Sequence, residues 1–405
     1  MNEAGGIRLR GFDFHPRTRL IFGVNAIDRL GELARELGAR RVLLVTSAGV
    51  RSAGHAERAS RSLEAAGVTP LLYDRAPEDP SARDVDECAV FARDLNVDTI
   101  VGLGGGSAID TAKGCNFLLT NGGRMPDYRG FRKASRPLLP LIAVPTTSGT
   151  GSECQSYALI CHDGTHQKMA CGDPKAAPAI AVLDPTLTLT QPRTVTAFSG
   201  LDAIGHAVET AVTRGRNELS LLHSREAFRL LIGSFSRVLT HPDDLEARAS
   251  MQLGAAHAGI AIELSMLGAA HAAANPLGAN WGAAHGQAVG MMLPAVVRFN
   301  AGDRAAREGY RDLLGYAGLA EAGADPAATA ASLADRLEDL LAVSAVPSCL
   351  SELKGAALEG IPRLAVEAAA QGTARFNPRD VTAEDFESLY RASWSRKADP
   401  VRRSK

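Results

Sequence analysis

Through the first half of the chain, short aliphatic and β-branched runs alternate with stretches whose apolar positions recur at helical spacing. The runs Val42 to Val45, Leu71 to Tyr73, Thr99 to Leu103, Leu141 to Val144 and Ala179 to Leu183 predict buried strands. Between them, Ile27, Leu30, Ala34 and Leu37 predict a helix capped by Asn25 and stopped at Gly38, and Val85, Cys88, Ala89 and Ala92 predict one that begins near Ser81. Such alternation is the pattern of a mostly parallel sheet with helices on its faces. After about Pro192 the strand signals fade, and helical patterns such as Leu333, Leu337, Leu340 and Leu341 take over. The expected organisation is an α/β domain over residues 1–190 and an all-helical domain over 191–405, with ligands favoured in the cleft between them.

A length of 405 residues sustains two such domains. With Lys+Arg 44 against Asp+Glu 45, the formal net charge of -1 provides no field that would attract nucleic acid or an anionic membrane. Cys88, Cys115, Cys154, Cys161, Cys171 and Cys349 lack framework spacing and read as reduced, mostly buried thiols of a cytoplasmic protein. No continuous apolar segment opens the chain, so export is not expected. Glu263 is the only formally charged residue between Arg248 and Arg298. Gly, Pro, Asn and His nevertheless divide that segment, which predicts a buried helical core with a polar centre rather than a membrane span.

Gly104, Gly105, Gly106 and Ser107 directly follow the run Thr99 to Leu103 and precede a helical pattern carrying Asp110 and Lys113. In that order, strand, glycine turn and helix, the backbone can approach a diphosphate closely and the helix start favours its negative charge. A second polar loop, Pro145 to Glu153 (PTTSGTGSE), follows another expected strand. Either loop alone reads equally well as a tight or capped turn. Two of them at strand ends of one sheet point to a nucleotide site.

His206 follows Asp202 by four residues in LDAIGHAVE, which places both side chains on one helix face. His271 and His285 bracket the nearly uncharged segment HAAANPLGANWGAAH. One carboxylate and three imidazoles form a donor set suited to Fe²⁺ or Zn²⁺ with positions left open for a substrate oxygen. His257 is read as a hydrogen-bonded core histidine without a role.

GGGSAIDTAKG, IAVPTTSGTGSE, LDAIGHAVE and the His271 to His285 segment, in this order, resemble the iron-containing (group III) alcohol dehydrogenase family, and the likeness runs from FGVNAIDRL to NPRDVTAED. It implies a Rossmann-like NAD(P)-binding α/β domain and an all-α metal-binding domain, the fold shared with dehydroquinate synthases. It also implies metal ligands at Asp202, His206, His271 and His285. Cofactor contacts are implied at Gly105, Gly106, Ser107, Asp110, Thr146, Thr147 and Thr150, and at Lys168, where the family places a ribose-binding lysine. Three positions depart from the family pattern. Ser47 stands where many members carry an aspartate that accepts from the adenosine ribose, Asp79 where an asparagine is common, and Asn275 where many have a second histidine near the nicotinamide.

The expected activity is hydride transfer between NAD(P) and a small alcohol or aldehyde, with the metal polarising the substrate oxygen. Asn275 can orient water but cannot accept the proton. Ser47 repels neither ribose nor phosphate and Arg51 is close in sequence, so NADPH is expected to be accepted as well as NADH. A homodimer or higher homo-oligomer is expected. A hydroxyacid-oxoacid transhydrogenase is the alternative. A phosphate-handling lyase of the dehydroquinate synthase kind is disfavoured by the lack of basic residues between Arg248 and Arg298.

Overall fold

The computed structural model describes residues 11–164, 167–321 and 323–395. Its strands are β1 (Arg19–Phe22), β2 (Arg41–Val45), β3 (Thr69–Tyr73), β4 (Thr99–Gly104), β5 (Gly130–Phe131), β6 (Leu141–Pro145), β7 (Tyr157–Cys161), β8 (Lys168–Gly172) and β9 (Ile180–Leu183). One sheet, ordered β1-β9-β6-β4-β2-β3, is parallel at every pairing. β2, β4 and β6 are buried along most or all of their length, because helices cover both faces and leave no solvated side to alternate with. Those helices are α1 (Leu30–Glu36), α2 (Ala48–Ser52), α3 (His55–Ala65), α4 (Ala82–Ala92) and α5 (Gly106–Asn121).

Two features differ from the sequence expectation. Asn25 adopts a left-handed conformation (φ 62°) and makes no side-chain cap. Asp184, just past β9, instead accepts from the N–H groups of Asn25 and Ile27, and a short 3-10 turn over Ala26–Arg29 precedes α1. The second sheet, ordered β5-β8-β7, was not foreseen. β7 and β8 pair antiparallel with five residues each, too short for a period-two pattern to stand out. By contrast, Ser81 and Asp84 form the reciprocal cap that starts α4 where expected.

Beyond β9 the described chain is helical: α6 (Arg193–Thr210), α7 (Glu218–Thr240), α8 (Leu245–Ser265), α9 (Ala269–Trp281), α10 (His285–Asn300), α11 (Arg304–Tyr316), α12 (Pro326–Ser344), α13 (Ile361–Ala369) and α14 (Ala383–Ala392). Phe228, Leu231, Phe235 and Val238 form the buried stripe of α7, while Leu333, Leu337, Leu340 and Leu341 form that of α12. The two halves meet backbone to backbone at Gly151 (φ 63°) and Gly259 of α8, where a Cβ on Gly151 would stand 2.6 Å from the Gly259 Cα. Glu263, the lone charge on that stretch, accepts from the Ser156 N–H and hydroxyl across the same junction. No single described helix is long and apolar enough to cross a membrane, and the α8–α9 pair bends by 105°. All six cysteines are free and buried, and the His257 Nδ1 lies 2.9 Å from the His223 Nδ1 as one hydrogen-bonded pair.

Candidate metal centre and cofactor cleft

Asp202 and His206 lie one turn apart on the buried face of α6. His271 is the third residue of α9, and His285 is the first of α10. The Asp202 Oδ1 stands 3.5 Å from the His206 Nε2, 3.4 Å from the His271 Nε2 and 3.6 Å from the His285 Nε2. Two ligands each about 2.1 Å from one ion at a tetrahedral angle lie roughly 3.4 Å apart, so these spacings are those of donors around a common centre. Asp202, His271 and His285 each offer an atom within 4.8 Å of the others. His206 joins through its distance to Asp202 and by stacking on His271, with ring centroids 4.7 Å apart.

The Asp202 Oδ1 and the His271 Nε2 are buried without a hydrogen-bond partner. Unpaired buried polar atoms are costly, and a divalent cation would satisfy both at once. The donor set therefore fits a metal ion. Burial, opposed by Asp202, pushes the His206 imidazole down to about 4. Burial, reinforced by Lys168, pushes that of His285 down to about 3. Neutral imidazole is the form that ligates; against burial, Asp202 and Glu209 push the His271 imidazole up to about 9, so a metal ion there would displace its Nε2 proton.

Sequence reasoning passed over Glu209, the last residue of LDAIGHAVE. Its carboxylate accepts from the His271 Nδ1 at 2.6 Å and from the N–H groups of Gly268 at 3.0 Å and Ala270 at 2.6 Å. It thus caps α9 from a neighbouring helix and holds the His271 proton on Nδ1, leaving Nε2 free toward Asp202. Burial works to raise the Glu209 carboxyl, but the bonds from His271, Gly268 and Ala270 outweigh it and keep it below its ordinary value. The available signal was spacing: Glu209 falls three residues after His206, on the inward face of a helix with almost no other charge.

The parallel register sets Gly104 of β4 beside Pro145 of β6 and Val45 of β2 beside Gly102 of β4. Consequently Ser47, the Gly105 to Ser107 turn and the Thr146 to Thr150 loop emerge side by side at the carboxyl ends of the strands. All line one cavity of about 660 Å³ that also includes Asp110, Lys168, Asp202, His206, His271 and His285. That size is ordinary for a ligand site. A Cβ on Gly106 would stand 2.6 Å from the Thr150 side chain, so the two loops interlock where α5 begins.

Asp110 reaches the wall, but its oxygens are engaged: Oδ1 accepts from the Ser152 hydroxyl at 2.5 Å and Oδ2 from the Leu159 N–H at 3.1 Å. Its neighbour Lys113, fully buried, donates to Ser152 O, Ser152 Oγ, Gln155 O and Tyr157 O at 2.7–2.9 Å. The pair ties the first glycine loop to the second.

The three departures have definite environments. Ser47 caps α2, accepting from the Val50 N–H. Arg51 is not free to meet a phosphate, because it pairs with Asp74 and lies 3.6 Å from Glu57. Asp79 pairs with Lys168 at 2.9 Å in the cavity wall. Asn275 is not among the described residues that line the cavity, and its amide donates to the Gln371 Oε1.

Residues 16–185 match the family described as iron-containing alcohol dehydrogenase, and residues 196–394 match the C-terminal family of the Fe-containing alcohol dehydrogenases. The NAD-dependent methanol dehydrogenase of Bacillus methanolicus is 30% identical over 91% of this chain and 96% of its own length. The 1,3-propanediol dehydrogenase of Citrobacter freundii is 30% identical over 95% of this chain and 99% of its own. Among solved structures, an alcohol dehydrogenase from Oenococcus oeni superposes with a TM-score of 0.90 at 30% identity, covering 95% of this chain and all of that one.

Proposed function

The chain belongs to the iron-containing alcohol dehydrogenase family, and from that premise we propose that Asp202, His206, His271 and His285 hold its metal and that the loops after β2, β4 and β6 hold its nicotinamide cofactor. It is an oxidoreductase acting on CH–OH groups, its metal is iron, and its cofactor is NAD or NADP. Zinc is a second ion that the same donor set would accept. When bound, the metal supplies Lewis acidity toward a substrate oxygen, and the cofactor supplies or accepts the hydride.

The observation that carries this reading is the convergence of three imidazole nitrogens on one orphaned carboxylate oxygen inside the cavity that the glycine loops line. Gly105 and Gly106 let the second loop pack against the start of α5, where the helix N-terminus opens on the cavity and suits a diphosphate. Thr146, Thr147 and Thr150 offer hydroxyls from the opposite loop, and Ser47 lies at the adenosine end. Phe198, Ile262 and Leu267 give the wall an apolar portion that keeps water from the reacting carbon. Among the described lining residues there is no arginine, and Lys168 is already paired with Asp79. Beyond the metal itself, a substrate carboxylate or phosphate would find no unpaired cationic side chain among the described lining residues, which favours a small alcohol or aldehyde over the hydroxyacid of a transhydrogenase or the phosphate ester of a lyase.

The division at residue 190 is supported by the end of β9 at Leu183 and the start of α6 at Arg193. A cytoplasmic location is supported by six free thiols. A homodimer or higher homo-oligomer is supported by β1, which lies at an edge of the sheet among the described residues with Arg19 and Phe22 exposed. The deciding experiment supplies the metal-loaded protein with a panel of aldehydes and NADH or NADPH. Stoichiometric oxidation of free cofactor that stops on chelation is expected. Interconversion of hydroxyacid and oxoacid without net cofactor change would replace this reading by the transhydrogenase.

A further inference from the structure

Asp79 sits between Pro77 and Pro80 on the loop after β3, in a left-handed conformation (φ 48°) that aspartate tolerates better than most residues. Its N–H donates to the Ser107 hydroxyl at 3.2 Å, which anchors the loop to the phosphate-binding turn. Its carboxylate meets the Lys168 ammonium at 2.9 Å, with the two side chains 55% and 22% exposed. Desolvation in the cleft works against both charges. In each case burial is the largest single influence, but the partner's charge and hydrogen bond, together with smaller nearby charges, outweigh it, lowering the Asp79 carboxyl and raising the Lys168 ammonium.

The pair shares its cavity wall with the donor cluster, for Asp79, Lys168 and His285 all line the one cavity. The pair therefore lies along the wall between Ser107 and His285. A dinucleotide with its diphosphate at the start of α5 and its reactive ring toward the cluster must pass it. That ring is cationic when oxidised and neutral when reduced. An uncharged residue at position 79 would leave Lys168 as an uncompensated positive charge there.

We propose that Asp79 sets the balance between oxidised and reduced cofactor in this enzyme: by offsetting Lys168 beside the nicotinamide, its carboxylate keeps NAD⁺ from being disfavoured relative to NADH. The inference rests on the cofactor cleft assigned under the proposed function. Its signature is a ratio of affinities with a sign that depends on which charge is removed.

The test titrates the metal-loaded protein, without substrate, with NAD⁺ by calorimetry and with NADH by fluorescence. In Asp79→Asn the Kd for NAD⁺ relative to that for NADH should rise roughly fivefold, as expected for one added charge at a half-screened site. Asp79→Ser should do the same, and Lys168→Met should move the ratio the other way. A loss of folding or of loop geometry weakens both cofactors together and leaves the ratio in place. An unchanged ratio in both Asp79 variants, or a shift of the same sign in Lys168→Met, overturns the inference while the cleft stands. If the wild-type protein binds neither cofactor, the cleft assignment falls and takes the inference with it.

Discussion

Replacing Glu209 by glutamine tests how the helical domain builds its metal centre, because the substitution preserves shape and removes only a charge. The carboxylate accepts from three donors: the His271 Nδ1–H and the N–H groups of Gly268 and Ala270. An amide has one oxygen. If that oxygen stays on His271 and Gly268, which share one carboxylate oxygen, the NH₂ is forced against the Ala270 N–H. If the amide turns round, its NH₂ points at Nδ1, which drives the imidazole proton to Nε2 and blocks the nitrogen that faces Asp202. A hydrogen bond to a charged group is worth about 1.5–3 kcal/mol. Losing the carboxylate behind a ligating histidine typically costs about 10–100-fold in metal affinity, or roughly 1.4–2.7 kcal/mol, and the two magnitudes agree. Competition against a fluorescent chelator on purified wild-type and Glu209→Gln protein should therefore show metal affinity falling at least tenfold. The metal-free proteins should keep the same circular dichroism. Equal metal affinities in two folded proteins would refute the view that Glu209 sets the His271 tautomer.

Gly106→Ala should weaken NADH binding while metal content stays stoichiometric, since the new Cβ would stand 2.6 Å from Thr150 and force the two loops apart; unchanged affinity by fluorescence titration would remove the nucleotide from this turn. Because Asp74 and Glu57 already occupy Arg51, the wild-type enzyme should prefer NADH. Asp74→Asn should raise kcat/KM for NADPH relative to NADH, and Ser47→Asp should lower it by about 1–3 kcal/mol, so a ratio unmoved by either would place the adenosine elsewhere. Lys113→Met strands Asp110 and several carbonyl oxygens in a dry interior, and urea unfolding should show a loss of about 3–5 kcal/mol. A loss below about 1 kcal/mol would show that the loops are held by other contacts.

Much of the architecture is local and was legible. The strands β2, β3, β4, β6 and β9 were predicted from unbroken apolar runs, and the reciprocal cap at Ser81 and Asp84 marks the start of α4 in four consecutive residues. The switch to helix near Pro192 is equally visible in the period of the apolar positions. β5 has only two residues, and β1, β7 and β8 mix exposed with buried or half-buried positions over four or five residues, too short a span for an alternating pattern to stand out. Asn25 misled because a residue of the right type stood in the right place, while a carboxylate about 160 residues away took over the task.

What the amino-acid sequence by itself determined was the type of each group: four candidate donors, two glycine loops at strand ends, and a stretch nearly free of charge to surround them. Types and local periods are written in neighbouring residues. The sequence could not decide which groups meet, because the approach of α6, α9 and α10 depends on packing between elements up to 83 residues apart, from Asp202 to His285. Only the tertiary structure brought Glu209 behind His271, closed Asp74 around Arg51, turned Asn275 toward Gln371, and set Asp79 against Lys168. Each of these is a contact between distant segments, fixed by how the core packs and not by any pattern along the chain.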